Sequence, residues 1–330
     1  MFPTIDTIED VLCPIAGKDE FKVSKNSGYT VIDYQIQKED TFDSPQALEA
    51  RGIKFHPDGT IAARLLHKKF NKGQYPELDK EYLQKPFRML EKLDGSELHF
   101  LPVDGELRAM TKAGVTDVSK QCEQEVDFHP DFWSALQDML DLGLTPIFEY
   151  TSPNNRIVIR YDEPQITLIA VRDTVTGEYQ HLDDYAKILH VPRVRKYTGS
   201  IEDVKDWTEK EGVVLVWEDG HRVKCKSEDY ILKHRTKDSI SQEKNVLALV
   251  LDNSVDDLAN ILDETDYKLV QNYYTEVWNG IHETAAMLAN MVSRLRGMER
   301  KDVALTVKEK LGGMEMPVFW KIFDGADPVE

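Results

Sequence analysis

Over residues 266–296, in DYKLVQNYYTEVWNGIHETAAMLANMVSRLR, apolar side chains recur at Leu269, Tyr273, Val277, Ile281, Ala285, Leu288, Val292 and Leu295. A three-and-four spacing held for that long fits one amphipathic helix and no strand. The preceding chain is of another kind. From residue 20 to about 235 it breaks into short runs rich in Val, Ile and aromatics: YTVIDYQI (29–36), ELHFLPV (97–103), TPIFEY (145–150), RIVIRY (156–161), ITLIAV (166–171), GVVLVW (212–217) and RVKCK (222–226). Each has strand length and is bounded by Asp, Gly, Asn or Pro. DFWSALQDMLDLG (131–143) is predicted as a helix stopped by Gly143, and LDDYAKILHV (182–191) as a second, short one. The expected fold class is α+β: an antiparallel-sheet domain over 1–238, then an all-α domain over 239–330. The boundary is set in the polar stretch TKDSISQEKN (236–245). NVLALVLDNSVDDLANILDE and DVALTVKEKLGG are expected to add two helices beside the long one, with VFWKIF docked on them.

At 330 residues the chain is long enough for two domains with cores of their own. No stretch reaches the ~20 apolar residues of a membrane span. The opening MFPTIDTIEDVLCP is acidic and lacks the basic start and apolar run of a signal peptide. Cys13, Cys122 and Cys225 are odd in number, far apart and without metal-ligand spacing, so a reducing, cytoplasmic setting without disulfides is expected. A net charge of −18 argues against a protein that coats long nucleic acid. Basic residues nevertheless gather in RVRK (193–196) and RVKCKSEDYILKHRTK (222–237), enough to grip a few phosphates at a chain end.

The chemistry concentrates in four short motifs. KLDGS (92–96) places a lysine and an Asp-Gly turn before a strand; alone it is an ordinary turn. FEY (148–150), EGVVL (211–215) and VKCKS (223–227) follow in order. Lys224 and Lys226 lie two apart, hence on one strand face, a pattern also used simply to guard sheet edges. No HExxH, GxxxxGK[ST] or GxGxxG is present.

The order K-x-D-G, strand-borne Glu, E-G, K-x-K resembles the covalent nucleotidyltransferases: DNA ligases, RNA ligases and capping enzymes. FEYTSPNNRIVIRY (148–161), with LEARG (48–52) and KKFNKGQ (68–74) upstream, is similar to the phage RNA ligase 1 family, whose second domain is also helical. The resemblance spans roughly 45–240. It implies an adenylyltransferase domain that uses ATP and Mg2+ (or Mn2+), with Lys92 as the nucleophile that carries AMP and Lys224 and Lys226 as catalytic partners at the phosphate. Arg51 and Lys69 would bind the β- and γ-phosphates, and Lys112, in TKAG, would be a further basic contact to ATP. Glu149 and Glu211 would hold the metal through its waters, Glu149 alternatively taking the ribose hydroxyls. Asp256 and Asp257 would either approach a second metal or only cap a helix begun at Ser254. The implied substrate is RNA with 5′-phosphate and 3′-hydroxyl ends, a broken tRNA loop among the candidates. A free lysine near pKa ~10.4 leaves only about one amine in two thousand neutral at pH 7, so cations around Lys92 are expected to favour the attacking form.

Overall fold

The protein is described from a computed structural model covering residues 2–252, 254–259 and 261–329. Contacts divide it into two compact units, Met1–His234 and Arg235–Glu330.

The first unit carries thirteen strands: β1 (Phe21–Asn26), β2 (Tyr29–Tyr34), β3 (Ile53–Phe55), β4 (Ile61–Ala63), β5 (Phe70–Asn71), β6 (Phe87–Lys92), β7 (Ser96–Val103), β8 (Glu106–Met110), β9 (Leu144–Thr151), β10 (Gln165–Asp173), β11 (Lys196–Tyr197), β12 (Gly212–Trp217) and β13 (Arg222–Lys226). They form three sheets, ordered β1-β2-β3-β4, β10-β9-β7-β8 and β11-β6-β12-β13-β5. The strand pairs are antiparallel except β13 with β5.

Period-two alternation decides what each sheet face does. On β7 and β9, Leu98, Phe100, Phe148 and Tyr150 are buried together with Phe132, Leu136 and Met139 of the helix Phe132–Asp141. Phe100 meets Phe132 and Phe148 edge-on at 5.6 and 5.7 Å, so truncating one such ring to alanine would cost about 3–5 kcal/mol. Glu97 and Glu149, one residue out of phase, fall on the other face. The β6–β12–β13 sheet divides likewise: Met89, Val213, Leu215 and Trp217 pack with Val204, while Leu90, Val214 and Val216 lie on the face that carries Lys92.

RIVIRY (156–161) is not a strand. The amides of Val158 and Ile159 both donate to Asp94 Oδ2 at 2.7 Å, so neither is free for a ladder. The helix over 131–143 is present, and Gly143 follows it with φ +72°, a left-handed stop that glycine adopts without strain.

In the second unit the long helix runs Glu264–Leu295, capped by Asp263, which accepts from the amides of Thr265 and Asp266. Its second half packs Leu288, Val292 and Leu295 against Val303, Val307, Phe319 and Ile322. Its first half turns differently from the expected stripe: Leu269 is 63% exposed and Val270 is buried, because Val246 and Val250 meet the helix one residue further round. The helix expected over NVLALVLDNSVDDLANILDE is broken into Glu243–Leu251 and a 3-10 turn, Val255–Leu258. No helix is long and apolar enough to cross a membrane among the described residues.

Candidate active site

Lys92 is the last residue of β6, and Leu93-Asp94-Gly95 carries the chain from one sheet to β7 in the other. The lysine therefore stands at the junction of two sheets. The turn is tight: a Cβ on Gly95 would lie 2.2 Å from the Tyr150 carbonyl oxygen, and the Gly95 amide donates to Glu149 Oε1 at 3.1 Å. Asp94 is buried and acts as a clamp. Besides the two amides of 158 and 159, it accepts from the Tyr230 hydroxyl at 2.7 Å. The K-x-D-G motif thus divides its labour, with Lys92 facing the site and Asp94-Gly95 holding it there.

Across the second sheet, Lys92 pairs in register with Gly212, and Gly212 with Lys226. A side chain at the middle position is excluded: a Cβ there would lie 2.1 Å from the Cys225 carbonyl oxygen, at φ +143°. This glycine admits Glu211 beside both lysines. Glu211, 3% exposed, has Oε2 2.7 Å from Lys92 Nζ and Oε1 3.0 Å from Lys226 Nζ. The Lys92 contact is a charge contact off the hydrogen-bonding line, since Oε2 has no hydrogen-bond partner. Lys226 also lies 4.7 Å over the Tyr230 ring.

Around this trio the charges are strongly biased. Burial, with Lys92 and Lys226 nearby, lowers the Lys224 ammonium to about 8. Burial brings Lys69 down to about 7, with Arg51 and Lys92 adding to it against the pull of Glu97. Burial raises Glu149 to about 7, the nearby Glu97 and Glu211 adding to it against the attraction of Lys92 and Lys69. Arg51 Nη1 makes hydrogen bonds of 2.8 and 2.9 Å to the two oxygens of Glu97, a partner 46 residues away that no local pattern marks. Burial would raise Glu97, but Arg51 and Lys69 outweigh it and hold the carboxyl below its ordinary range.

Lys112 pairs with Asp33 at 2.9 Å. Its segment is tied to that of Arg51 by the buried Lys54, whose ammonium donates to the carbonyls of Gly52 and Thr111 at 3.0 Å each. Asp256 and Asp257 belong to the second unit and are exposed on the 3-10 turn. The Tyr267 hydroxyl donates to Asp256 at 3.4 Å. The expected cap is not formed: the Ser254 side chain bonds back to the Asp252 carbonyl and accepts no amide of the turn. Asp94, Glu97 and Tyr230 are the site residues that sequence reasoning missed. Asp94 carried a signal, as the acid of K-x-D-G, but its partners lie 64, 65 and 136 residues away.

Two family models match the chain. The model described as "RNA ligase" matches residues 49–240, and that described as "T4 RNA ligase 1, C-terminal domain" matches residues 237–325. The chain belongs to the RNA ligase 1 family typified by the phage T4 enzyme. It is an RNA ligase. It is 30% identical, over 92% of its length and 84% of the relative's, to a Thermovibrio ammonificans protein named "Putative RNA ligase". It is 28% identical to the RNA ligase 1 of bacteriophage TS2126, over 52% of this chain and 47% of that one. Among solved structures it is similar to a "Putative ATP-dependent DNA ligase" from Aquifex aeolicus, with a TM-score of 0.49, 15% identity and coverage of 83% of this chain and 79% of that.

Proposed function

We propose that this chain joins RNA 5′-phosphate and 3′-hydroxyl ends with ATP and a divalent cation, Mg2+ in the first instance, through a covalent Lys92–AMP and an AMP-capped RNA. The observation that carries the reading is Lys92 at the sheet junction, in contact with Glu211 and in register with Lys226 across a glycine. In the first step the Lys92 amine forms a bond to the α-phosphorus, the bond to the bridging oxygen of pyrophosphate breaks, and the amine gives up a proton. An oxygen of the RNA 5′-phosphate then displaces Lys92, which regains a proton. The 3′-hydroxyl oxygen finally bonds to the RNA 5′-phosphorus and gives up its proton, the anhydride bond to AMP breaks, and the phosphodiester is left.

The residues fit these ligands. Lys69 and Lys224 are cations whose charge is weakened by burial, and an anionic phosphate beside them would restore it. Lys224 and Lys226 stabilise charge at the α-phosphate, while Arg51 and Lys69 orient the leaving pyrophosphate, with Lys112 at the edge of the same basic group. Glu211, with an oxygen lacking a hydrogen bond, and Glu149 are the acids suited to a metal and its waters. Such an ion, when bound, would neutralise charge building on the transferred phosphate. Asp256 and Asp257 remain candidates for a second ion. Residues 1–238 would perform adenylyl transfer and 239–330 would select the RNA, a broken tRNA loop being the substrate to try first.

The test is incubation with ATP labelled on the α-phosphate, followed by a denaturing gel. Wild type should take up label that acid removes, and Lys92→Ala should not. An adduct on the alanine variant would overturn the assignment.

A further inference from the structure

The face that carries Lys92 continues along the sheet. Two residues on, the in-register row is Leu90, Val214 and Lys224; two more, it is Arg88, Val216 and Arg222. This last row lines a cavity of about 740 Å³, a size that takes a ligand of several groups. The Arg222 side chain is its unusual feature. It is 7% exposed, its Nε has no hydrogen-bond partner, and no carboxylate among the described residues lies within ion-pair reach of it. Its guanidinium rests 3.9 Å from the centre of the Tyr179 ring, which holds its plane in place. Burial, with Arg172 and Arg88 nearby, disfavours its charge. Arg88, exposed on the same row, is likewise without an ion-pair partner among the described residues.

The acids that line the cavity do not serve these two arginines. Asp183 is taken by Arg193 and Lys196, and Asp219 accepts from the Tyr82 hydroxyl and the His221 amide. Glu178 and Glu218 are exposed and out of ion-pair reach of Arg222. Burying an unpaired guanidinium is costly, and a phosphate seated in its fork is the partner that its geometry suits.

We propose that this cavity is a second phosphate site, in which Arg222 and Arg88 hold a backbone phosphate of the RNA strand while its end lies at Lys92. The proposal rests on the RNA-ligase reading of Lys92. Arg88 lies four steps along β6 from Lys92, roughly 13 Å at strand rise. The α-phosphate of ATP must lie at Lys92, and its leaving pyrophosphate is assigned above to Arg51 and Lys69. A polymer with a phosphate at every residue spans such a distance without difficulty.

The experiment measures binding of a 5′-phosphorylated single-stranded oligoribonucleotide by fluorescence anisotropy across a salt series, beside the single-turnover rate of lysine adenylylation at several ATP concentrations. Arg88→Gln, on the surface, and Arg222→Lys, which keeps charge but loses the fork, are compared with wild type. Arg88→Gln is expected to weaken RNA binding about tenfold and to reduce the slope of log K against log salt by about 0.7. Arg222→Lys should weaken binding several-fold with little change of slope. Both should adenylylate within twofold of wild type. A rise in the ATP concentration needed, with RNA binding unchanged, would assign the cavity to ATP and overturn the proposal. Unchanged RNA binding and unchanged slope in both variants would overturn it also. Failure of wild type itself to adenylylate would instead strike the reading of Lys92.

Discussion

Glu97 on β7 and Glu149 on β9 stand directly opposite each other in the antiparallel register, two carboxylates on one face of one sheet. Like charges so placed repel, and the fold resolves the conflict unequally. Arg51 donates to both oxygens of Glu97 and keeps it ionised, whereas Glu149, half-buried beside it, is raised to about 7.

That asymmetry sets a pH dependence. A carboxyl raised in the folded state from an ordinary 4.5 to about 7 contributes stability that is full below 4.5 and lost as pH rises through 7. Wild type should therefore lose stability relative to Glu149→Gln between pH 5 and pH 8, by about 1–3 kcal/mol. Urea unfolding of both proteins at the two pH values measures it; a pH-independent difference would contradict the raised pKa.

Arg51 and Lys69 separate structure from chemistry. Arg51→Ala strands a nearly buried Glu97 carboxylate, and a loss of about 3–5 kcal/mol is expected, partly recovered by adding Glu97→Gln. Lys69 makes no ion pair among the described residues, so its removal tests the leaving-group role more cleanly. Lys69→Met should slow adenylylation by ATP about 100-fold, with sealing of a pre-adenylylated RNA near wild type. Equal losses on the two substrates would remove Lys69 from the leaving-group side.

Asp94 is expected to matter for architecture. Asp94→Ala leaves two amides and a buried hydroxyl without their acceptor, at about 3 kcal/mol or more. Tyr230→Phe should cost only about 1 kcal/mol. Amide hydrogen exchange at Val158 and Ile159 reports the difference: fast in Asp94→Ala, and close to wild type in Tyr230→Phe.

Gly212→Ala should be among the most damaging small substitutions, since its methyl meets backbone at 2.1 Å in a conformation alanine resists. A loss of about 3 kcal/mol is expected, together with adenylylation, because Lys226 and Glu211 are displaced. Gly280→Ala is the control. It lies inside the long helix with open space around it, and should be neutral or stabilising by up to about 1 kcal/mol. Thermal melts of the two variants decide the matter.

Local pattern made much of this protein legible. Period-two alternation puts Phe148 in the core and Glu149 on the opposite face, and puts Lys224 and Lys226 on one face, without any knowledge of the fold. The motif order likewise singled out Lys92, Glu211 and Lys226, and both lysines lie within 3.0 Å of the Glu211 carboxylate. Period 3.6 found the long helix but misjudged its first half, because periodicity gives the width of an apolar stripe and only the partner selects its centre. RIVIRY has a strand's composition and is held as a loop by an aspartate 64 residues upstream. The pairing of Arg51 with Glu97, the clamp at Asp94 and the unpartnered Arg222 are likewise decided by groups far apart in sequence. A residue's propensity and its neighbours along the chain are local quantities, whereas the hydrogen bonds and fields that fix a buried charge come from whatever the tertiary fold brings beside it.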